Sequence, residues 1–423
     1  MNGLVGGRSQ TVSHGAEDGR PQRAILLELL RAALAAVDGR RCTREALGGG
    51  SPRAARLAEP DLEDQRPVWA AAIGKAAAAM ALGAADALGA RLERLLLVTK
   101  EGHAGEEARR LTRFEIHESS HPLPDARSLA AGTRLLAFVD EIPRSARPLF
   151  LVSGGASSLV EVLAPGVTLE ELLRLNLEGI ARALPIEALN ARRREVSLVK
   201  GGRLAARVRG RGALALFLSD VPGDDPAVIG SGLLGPAGSR DSPDDVERVV
   251  VASIDEARRA VCDRAAGLVV EAAPERFGGH VERLAVRMAH ETALGTAALH
   301  VWGGESVIDL PEHPGRGGRN QHLALAAARL IAGRDDVFLL AAGTDGTDGP
   351  TLDAGALVDG ETCARVACAG VDVDEALRRA DAGTALEAAG DLVHTGPTGT
   401  NVGDLVLGLK LSGAGAREWL CGC

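Results

Sequence analysis

Short apolar runs alternate along this chain with longer Ala-, Leu- and Arg-containing segments of helical period. The spacing predicts a first helix over Arg23–Val37 and strands over Val68–Ile73, Leu95–Thr99, Leu149–Ser153, Ala213–Ser219, Leu299–Trp302 and Val337–Ala342. Most of these strands end in a polar, glycine-containing turn, and several of the turns open into a helix. Layers of that kind belong to the α/β class with a mostly parallel sheet, whose ligands gather at the carboxyl ends of the strands. Gly, Pro, Ser and Asp cluster over Gly235–Asp245 ahead of the next helical segment, which places a domain junction there. Residues 1–22 then read as a loose Gly-rich tail, 23–245 as a first α/β domain and 246–423 as a second. An interdomain cleft is the expected position of the active site.

Composition narrows the function. At 423 residues the chain can build two cores, and 46% hydrophobic with 25% charged residues is an ordinary globular balance. Aromatic residues make up only 2%, and the net charge is −9, which argues against nucleic acid as a partner because both stacking and phosphate attraction are missing. No segment is expected to span a membrane: the Ala-rich run Val68–Ala90 carries Lys75 and Asp86 and has the small side chains of a packed helix. The six cysteines show no CxxC or zinc spacing, so a cytoplasmic enzyme with reduced thiols is expected.

The chemistry concentrates in turns. Three Gly/Asp/Thr-rich stretches crowd toward the C-terminus: Arg316-Gly-Gly-Arg-Asn-Gln321, Gly343-Thr-Asp-Gly-Thr-Asp-Gly-Pro350 and Thr395-Gly-Pro-Thr-Gly-Thr-Asn401. Arg319, with Asn320 and Gln321, leads directly into a helix, and a guanidinium there suits bidentate capture of carboxylate or phosphate. Asp345 and Asp348 lie three apart on one turn, close enough to share a metal or to divide the roles of metal ligand and proton acceptor. Thr395, Thr398 and Asn401 offer neutral hydrogen bonds to substrate oxygens. No twelve-residue calcium loop ending in Glu is present around the two acids. Gly303-Gly304-Glu305 reads as a tight turn between extended segments, with Glu305 a candidate magnesium contact.

In the first half, Gly74-Lys75 follows a predicted strand and opens a helix, which places a lysine beside unpaired backbone N–H groups. It is not a Walker loop. Ser153-Gly154-Gly155-Ala156-Ser157-Ser158 repeats the strand-turn-helix arrangement and is expected to cradle phosphate; without GxSxG, a serine nucleophile is a weak reading. Lys200, within the basic stretch Arg192–Arg203, is a further candidate anion contact, and Asp220, at the end of Ala213–Ser219, a candidate for Mg2+. His103 and His121 are second-tier candidates. Gly230-Ser-Gly-Leu-Leu-Gly235 matches GxGxxG, but it trails a loop and is followed by prolines, so a dinucleotide site is rejected.

Taken in order, the strings IGKAAAAM, VTKEGH, SHPLPDA, VSGGASSL, VKGGRLAA, LSDVPGDDPAVI, GGES, GRGGRNQHLALAAA, AAGTDGTDGPTLDAGALVDG and HTGPTGTNVGDLVL resemble the glycerate 2-kinase family. The resemblance runs from about residue 23 to about residue 410. It implies a Rossmann-like first domain, a second domain with a mixed sheet containing a MOFRL region over about 298–410, and transfer of the γ-phosphoryl of Mg-ATP to D-glycerate, giving 2-phosphoglycerate. By position it assigns catalytic roles to Lys75 and Arg319, which must then serve one anionic guest, and it matches Asp345 and Asp348 to the family's acidic loop. A homodimer is one candidate assembly.

The chain departs from the family pattern over Ser153–Leu159, at Ala156 and Ser158, over Asn190–Ser197, at Ser253-Ile-Asp255 and over Arg379–Thr384, so substrate or nucleotide contacts are expected to differ there. Two rival functions follow from the same residues. One is an NAD(P)H-dependent hydroxypyruvate reductase, a label that some relatives carry. The other is a sugar-acid- or nucleotide-binding protein without catalysis.

Overall fold

The computed structural model describes residues 13–14, 20–48, 66–181, 186–239, 242–243 and 245–422. Packing divides the chain into two units: Val37–Ser253 with Gly399–Val402, and Met1–Ala36 with Ile254–Thr398 and Gly403–Cys423. The first helix, α1 (Pro21–Ala36), thus belongs with the C-terminal unit. Its attachment is electrostatic as well as apolar. Buried Arg23 donates to Asp359, to Asp391 Oδ1 at 2.7 Å and to the Leu357 carbonyl at 2.8 Å, and Arg365 holds the same two carboxylates from the other side. Burial alone would raise the Asp359 pKa, but Arg365 and Arg23 hold it below the usual range, so the charges stay paired.

The N-terminal unit begins with α2 (Gly39–Gly48) and carries six parallel strands: β1 (Val68–Ile73), β2 (Leu92–Lys100), β3 (Phe114–Ser119), β4 (Arg147–Val152), β5 (Leu214–Leu218) and β6 (Glu247–Ala252). Their order is β3-β2-β1-β4-β5-β6, the arrangement of a Rossmann-like doubly wound sheet. Every position of β1 and β5 is buried, as expected of strands covered on both faces. Helices α3 (Ala77–Leu88), α4 (Ala126–Glu141) and α5 (Ala156–Leu159) follow β1, β3 and β4. Phe138 of α4 packs in one cluster with Phe150 and Phe217 from the sheet. Asp125, from the SHPLPDA string, caps α4 through a reciprocal box with Ser128. Because β6 pairs in parallel with β5, the division between units falls at Ser253/Ile254 rather than within Gly235–Asp245.

The C-terminal unit holds α6 (Ile254–Arg264), α7 (Val281–Leu294) and α8 (Arg319–Leu330). Its strands are β7 (Val270–Ala272), β8 (Phe277–His280), β9 (Leu299–Val307), β10 (Val337–Gly343), β11 (Gly355–Asp359), β12 (Leu392–His394) and β13 (Asp404–Lys410). The sheet is mixed: β9, β13, β10, β11 and β12 pair antiparallel in that sequence, while β7 and β8 pair with β9 in parallel. Leu323, Met288 and Trp302 belong to its core. The turn expected at Gly303-Gly304-Glu305 is instead continuous strand. Gly304 and Glu305 pair with Phe277 and Gly278 of β8, and the two glycines admit neighbouring backbone and side chains closely: a methyl on Gly304 would lie 2.1 Å from the Phe277 carbonyl oxygen. Among the described residues no helix is long and apolar enough to cross a membrane.

Candidate active site

In the N-terminal unit the strand order reverses between β1 and β4, and open α/β sheets take ligands outside the carboxyl ends of strands at such a point. The two loops there are Gly74-Lys75-Ala76 and Ser153-Gly154-Gly155. They are stitched together by backbone: the Lys75 N–H donates to the Gly154 carbonyl at 2.9 Å, and the Ala76 N–H donates to Ser153 Oγ at 3.1 Å. Thr99 Oγ1, from the end of β2, donates to the Gly74 carbonyl at 2.9 Å. Gly74 has φ +135°, and a methyl there would sit 2.1 Å from Ser153 Oγ, so only glycine fits. The Lys75 side chain passes over Gly155, where an added methyl would come within 3.2 Å of its Cγ and 3.1 Å of the His121 ring.

Asp220, just past β5, and Asn401 close over Gly154. A methyl on Gly154 would lie 1.9 Å from Asp220 Oδ2 and 2.0 Å from Asn401 Nδ2, which itself donates to that oxygen at 3.2 Å. The fold therefore gathers Gly74, Lys75, Ser153, Gly154, Gly155, Asp220 and Asn401 in one place. The outer serines are engaged elsewhere: Ser157 Oγ shares a 2.6 Å hydrogen bond with Ser231, and Ser158 Oγ donates to the Pro122 carbonyl at 2.7 Å.

Lys200 does not present its charge to a ligand. Its side chain is 2% exposed, and its ammonium donates to the equally buried Glu161 carboxylate. Burial pulls its pKa down and Glu161 opposes that shift. The expectation of an anion contact fails because the cation is consumed by an internal partner. The GxGxxG string forms a 3-10 turn at Ile229–Ser231 rather than a strand-to-helix turn, in line with its rejection as a dinucleotide site. Its Ser231 donates to Asn190 Oδ1 at 2.8 Å, and its carbonyls accept from Gly201 and Gly202, so it braces the Lys200 loop.

The C-terminal unit assembles a different kind of site, at the carboxyl ends of β9 and β10, the start of β13 and the N-terminus of α8. Arg319 donates to Glu305 Oε1 at 2.6 Å and to the Ser306 carbonyl at 3.0 Å, and stands 3.4 Å from Asp404 Oδ2. Glu305, expected as a magnesium contact, thus has its charge offset by Arg319. Asp348 accepts from the backbone N–H of Asn320 at 3.1 Å and of Gln321 at 2.8 Å, capping α8 from a separate loop. Asn320 Nδ2 reaches Asp404 Oδ1 at 3.0 Å and Asp348 Oδ1 at 3.4 Å. Gln321 donates through Nε2 to Thr351 at 2.8 Å. Asp345 turns back on its own loop, accepting from Thr347 N and Oγ1 at 3.0 Å.

Burial dominates the titration of the two inner acids. It pushes Asp348 up to about 7 against the helix N–H groups and Arg319, with the Asp404 charge adding to the rise. It pushes Asp404 up to about 6 against Arg319 and Asn320. Arg319 loses some basicity to burial but is raised on balance by Asp404 and Glu305, so it stays charged. Thr398 Oγ1 donates to the Thr344 carbonyl at 2.6 Å and Thr395 Oγ1 to the Gly396 carbonyl at 2.8 Å; both hydroxyls serve the loop backbone. The departing stretch Arg379–Thr384 braces the entry to α8, with Asp381 accepting from the Arg316 N–H at 2.8 Å. Among the described residues no three His, Cys, Asp or Glu side chains cluster to hold a metal ion.

Two family models match, the domain of unknown function DUF4147 over residues 25–259 and the MOFRL family over residues 298–404. The chain is 35% identical to a D-glycerate 2-kinase of Thermotoga maritima, covering 92% of this chain and 98% of that one. It belongs to the glycerate 2-kinase family. A solved structure of glycerate kinase from Thermotoga maritima matches with a TM-score of 0.74 at 33% identity, over 93% of this chain and 100% of the other. A putative hydroxypyruvate reductase of Agrobacterium vitis is 33% identical over 78% of this chain and 96% of its own length.

Within this glycerate 2-kinase family member, the sequence reading missed Asp404 as a site residue. It lay inside the quoted string HTGPTGTNVGDLVL, where an acid opens an otherwise apolar run immediately after a glycine. That was the available signal: a carboxylate at the first position of a buried strand has to find a cationic or amide partner.

Proposed function

We propose that this protein is an ATP-dependent glycerate 2-kinase that transfers the γ-phosphoryl of Mg-ATP to the 2-hydroxyl of D-glycerate, giving 2-phosphoglycerate and ADP. The observation that carries the reading is Lys75 at the strand-order reversal of a Rossmann-like sheet, beside the Ser153-Gly154-Gly155 turn, in a member of this family. Phosphoryl transfer asks a protein mainly for positioning and charge stabilisation, which a lysine, an arginine and glycine turns supply. In this reading Lys75 and Arg319 stabilise phosphoryl and carboxylate charge, and Asp345 or Asp348 orients or deprotonates the acceptor hydroxyl. Magnesium arrives with ATP as part of the substrate and needs only one or two carboxylates. Asp220, whose Oδ2 accepts one amide hydrogen bond, is the residue we assign to it.

Incubation with Mg-ATP and D-glycerate, followed by phosphorus NMR, tests the reading. A 2-phosphoglycerate resonance and ADP are expected; a 3-phosphoglycerate product would correct the regiochemistry. Steady oxidation of NADH by hydroxypyruvate without any phosphorylation would replace the proposal with the reductase. Calorimetric binding of ATP and glycerate without turnover would replace it with a binding protein.

A further inference from the structure

Arg319 has three anchors, and they differ in what they can do. Its pair with Glu305 involves a carboxylate that is 56% exposed, and exposed ion pairs fix geometry weakly. The Ser306 carbonyl contributes one neutral acceptor. Asp404, only 5% exposed, is the anchor that cannot move away. It stands at the first position of β13, flanked in register by Gly304 of β9 and Gly343 of β10. Its Oδ1 is clamped by Asn320 Nδ2, while its Oδ2 is buried, accepts no hydrogen bond among the described residues and faces the guanidinium at 3.4 Å. Asn320, one residue beyond Arg319 on α8, also reaches Asp348, so two carboxylates of the site share one amide.

We infer that Asp404 is the positioning residue for Arg319: its clamped carboxylate fixes the direction in which the guanidinium meets the anionic substrate. The inference rests on the kinase reading for its kinetic consequence, but the orientation of Arg319 is a property of the protein itself. A buried carboxylate with one oxygen free of hydrogen bonds beside a planar fork of donors is the arrangement that sets such a direction.

Two measurements test it separately. In the kinase assay, Asp404→Asn is expected to lower kcat by about 10²-fold with KM for ATP changed less than about threefold, because the lost stabilisation belongs to the transition state. In an Arg319→Lys background the same substitution should add little further loss, since the two residues act as a unit. Multiplicative losses in the double variant, or an unchanged kcat in the single one, would overturn the inference. The second measurement is rotation of the Arg319 guanidinium, followed by NMR on arginine-labelled protein with the resonance assigned from its absence in Arg319→Lys. Faster rotation in Asp404→Asn is expected; unchanged rotation overturns the inference even if the protein turns out to phosphorylate nothing. Should Asp404→Asn fail to fold, Asp404→Ser removes the charge with a smaller polar group and is read in the same two ways.

Discussion

The candidate sites of the two units are built from opposite materials. At the reversal point of the N-terminal sheet the contacts are mostly backbone: Lys75 N–H to Gly154, Ala76 N–H to Ser153, and glycines too closely packed to carry a side chain. At the start of α8 in the C-terminal unit the contacts are charged side chains, with Arg319 between Glu305 and Asp404 and with Asn320 linking Asp404 to Asp348. The first arrangement is set by close backbone packing. The second stores its properties in ionisation, because burial lifts two of its carboxyls toward neutrality. A site made of glycine turns fails when its shape changes, whereas one made of charges fails when a proton or a partner is added or removed.

The largest expected effect tests whether the N-terminal unit uses any buried charge structurally. Lys200→Ala leaves Glu161 buried without its partner and should cost about 3–5 kcal/mol, read as a lowered midpoint in chemical denaturation. A stable variant with weakened phosphate binding would return Lys200 to the ligand. Next comes Arg319→Ala, expected to lower kcat by about 10²–10³-fold while circular dichroism shows the fold intact. Wild-type kcat would break the contrast, since the charged cluster would then be doing nothing for turnover.

Titration probes the charged site at a smaller scale. If the ionised forms of both Asp348 and Asp404 are needed, kcat/KM falls about tenfold per pH unit below about 7 and about a hundredfold per unit below about 6, and Asp348→Asn removes the upper part of that limb. Stability moves the opposite way. The native state keeps protons on Asp348 and Asp404 that the unfolded chain has released above pH about 4. Their contribution to stability is therefore greatest below that pH, and it is lost as pH rises to about 6–7. Unfolding free energies across pH 4–8 that rise instead would contradict the burial of this pair. The smallest effect sharpens the N-terminal side: Ser157→Ala, whose hydroxyl is shared with Ser231, should cost about 1 kcal/mol of stability and change KM for ATP little. A large KM change would mean that hydroxyls rather than backbone form the cradle.

The chain's own periodicity was enough to locate β1, β4, β5 and β10 and the helix α1, because buried strands with near-continuous apolar runs and glycine turns leave a direct trace in sequence. Lys75, Ser153, Arg319 and Asp348 were likewise legible, since each follows a strand or opens a helix. Strands β3 and β13 were not, as the first is only half-buried and the second begins with an acid inside a motif that reads as a loop. Tertiary structure alone decided the rest. It turned Lys200 inward to Glu161, carried β9 straight through Gly303-Gly304-Glu305, assigned α1 to the C-terminal unit through Arg23, and set Asp404 against Arg319. Each of these depends on which distant residue becomes the neighbour of a buried charge or an open backbone group. Local sequence encodes the need for a partner; only the packed chain supplies its identity.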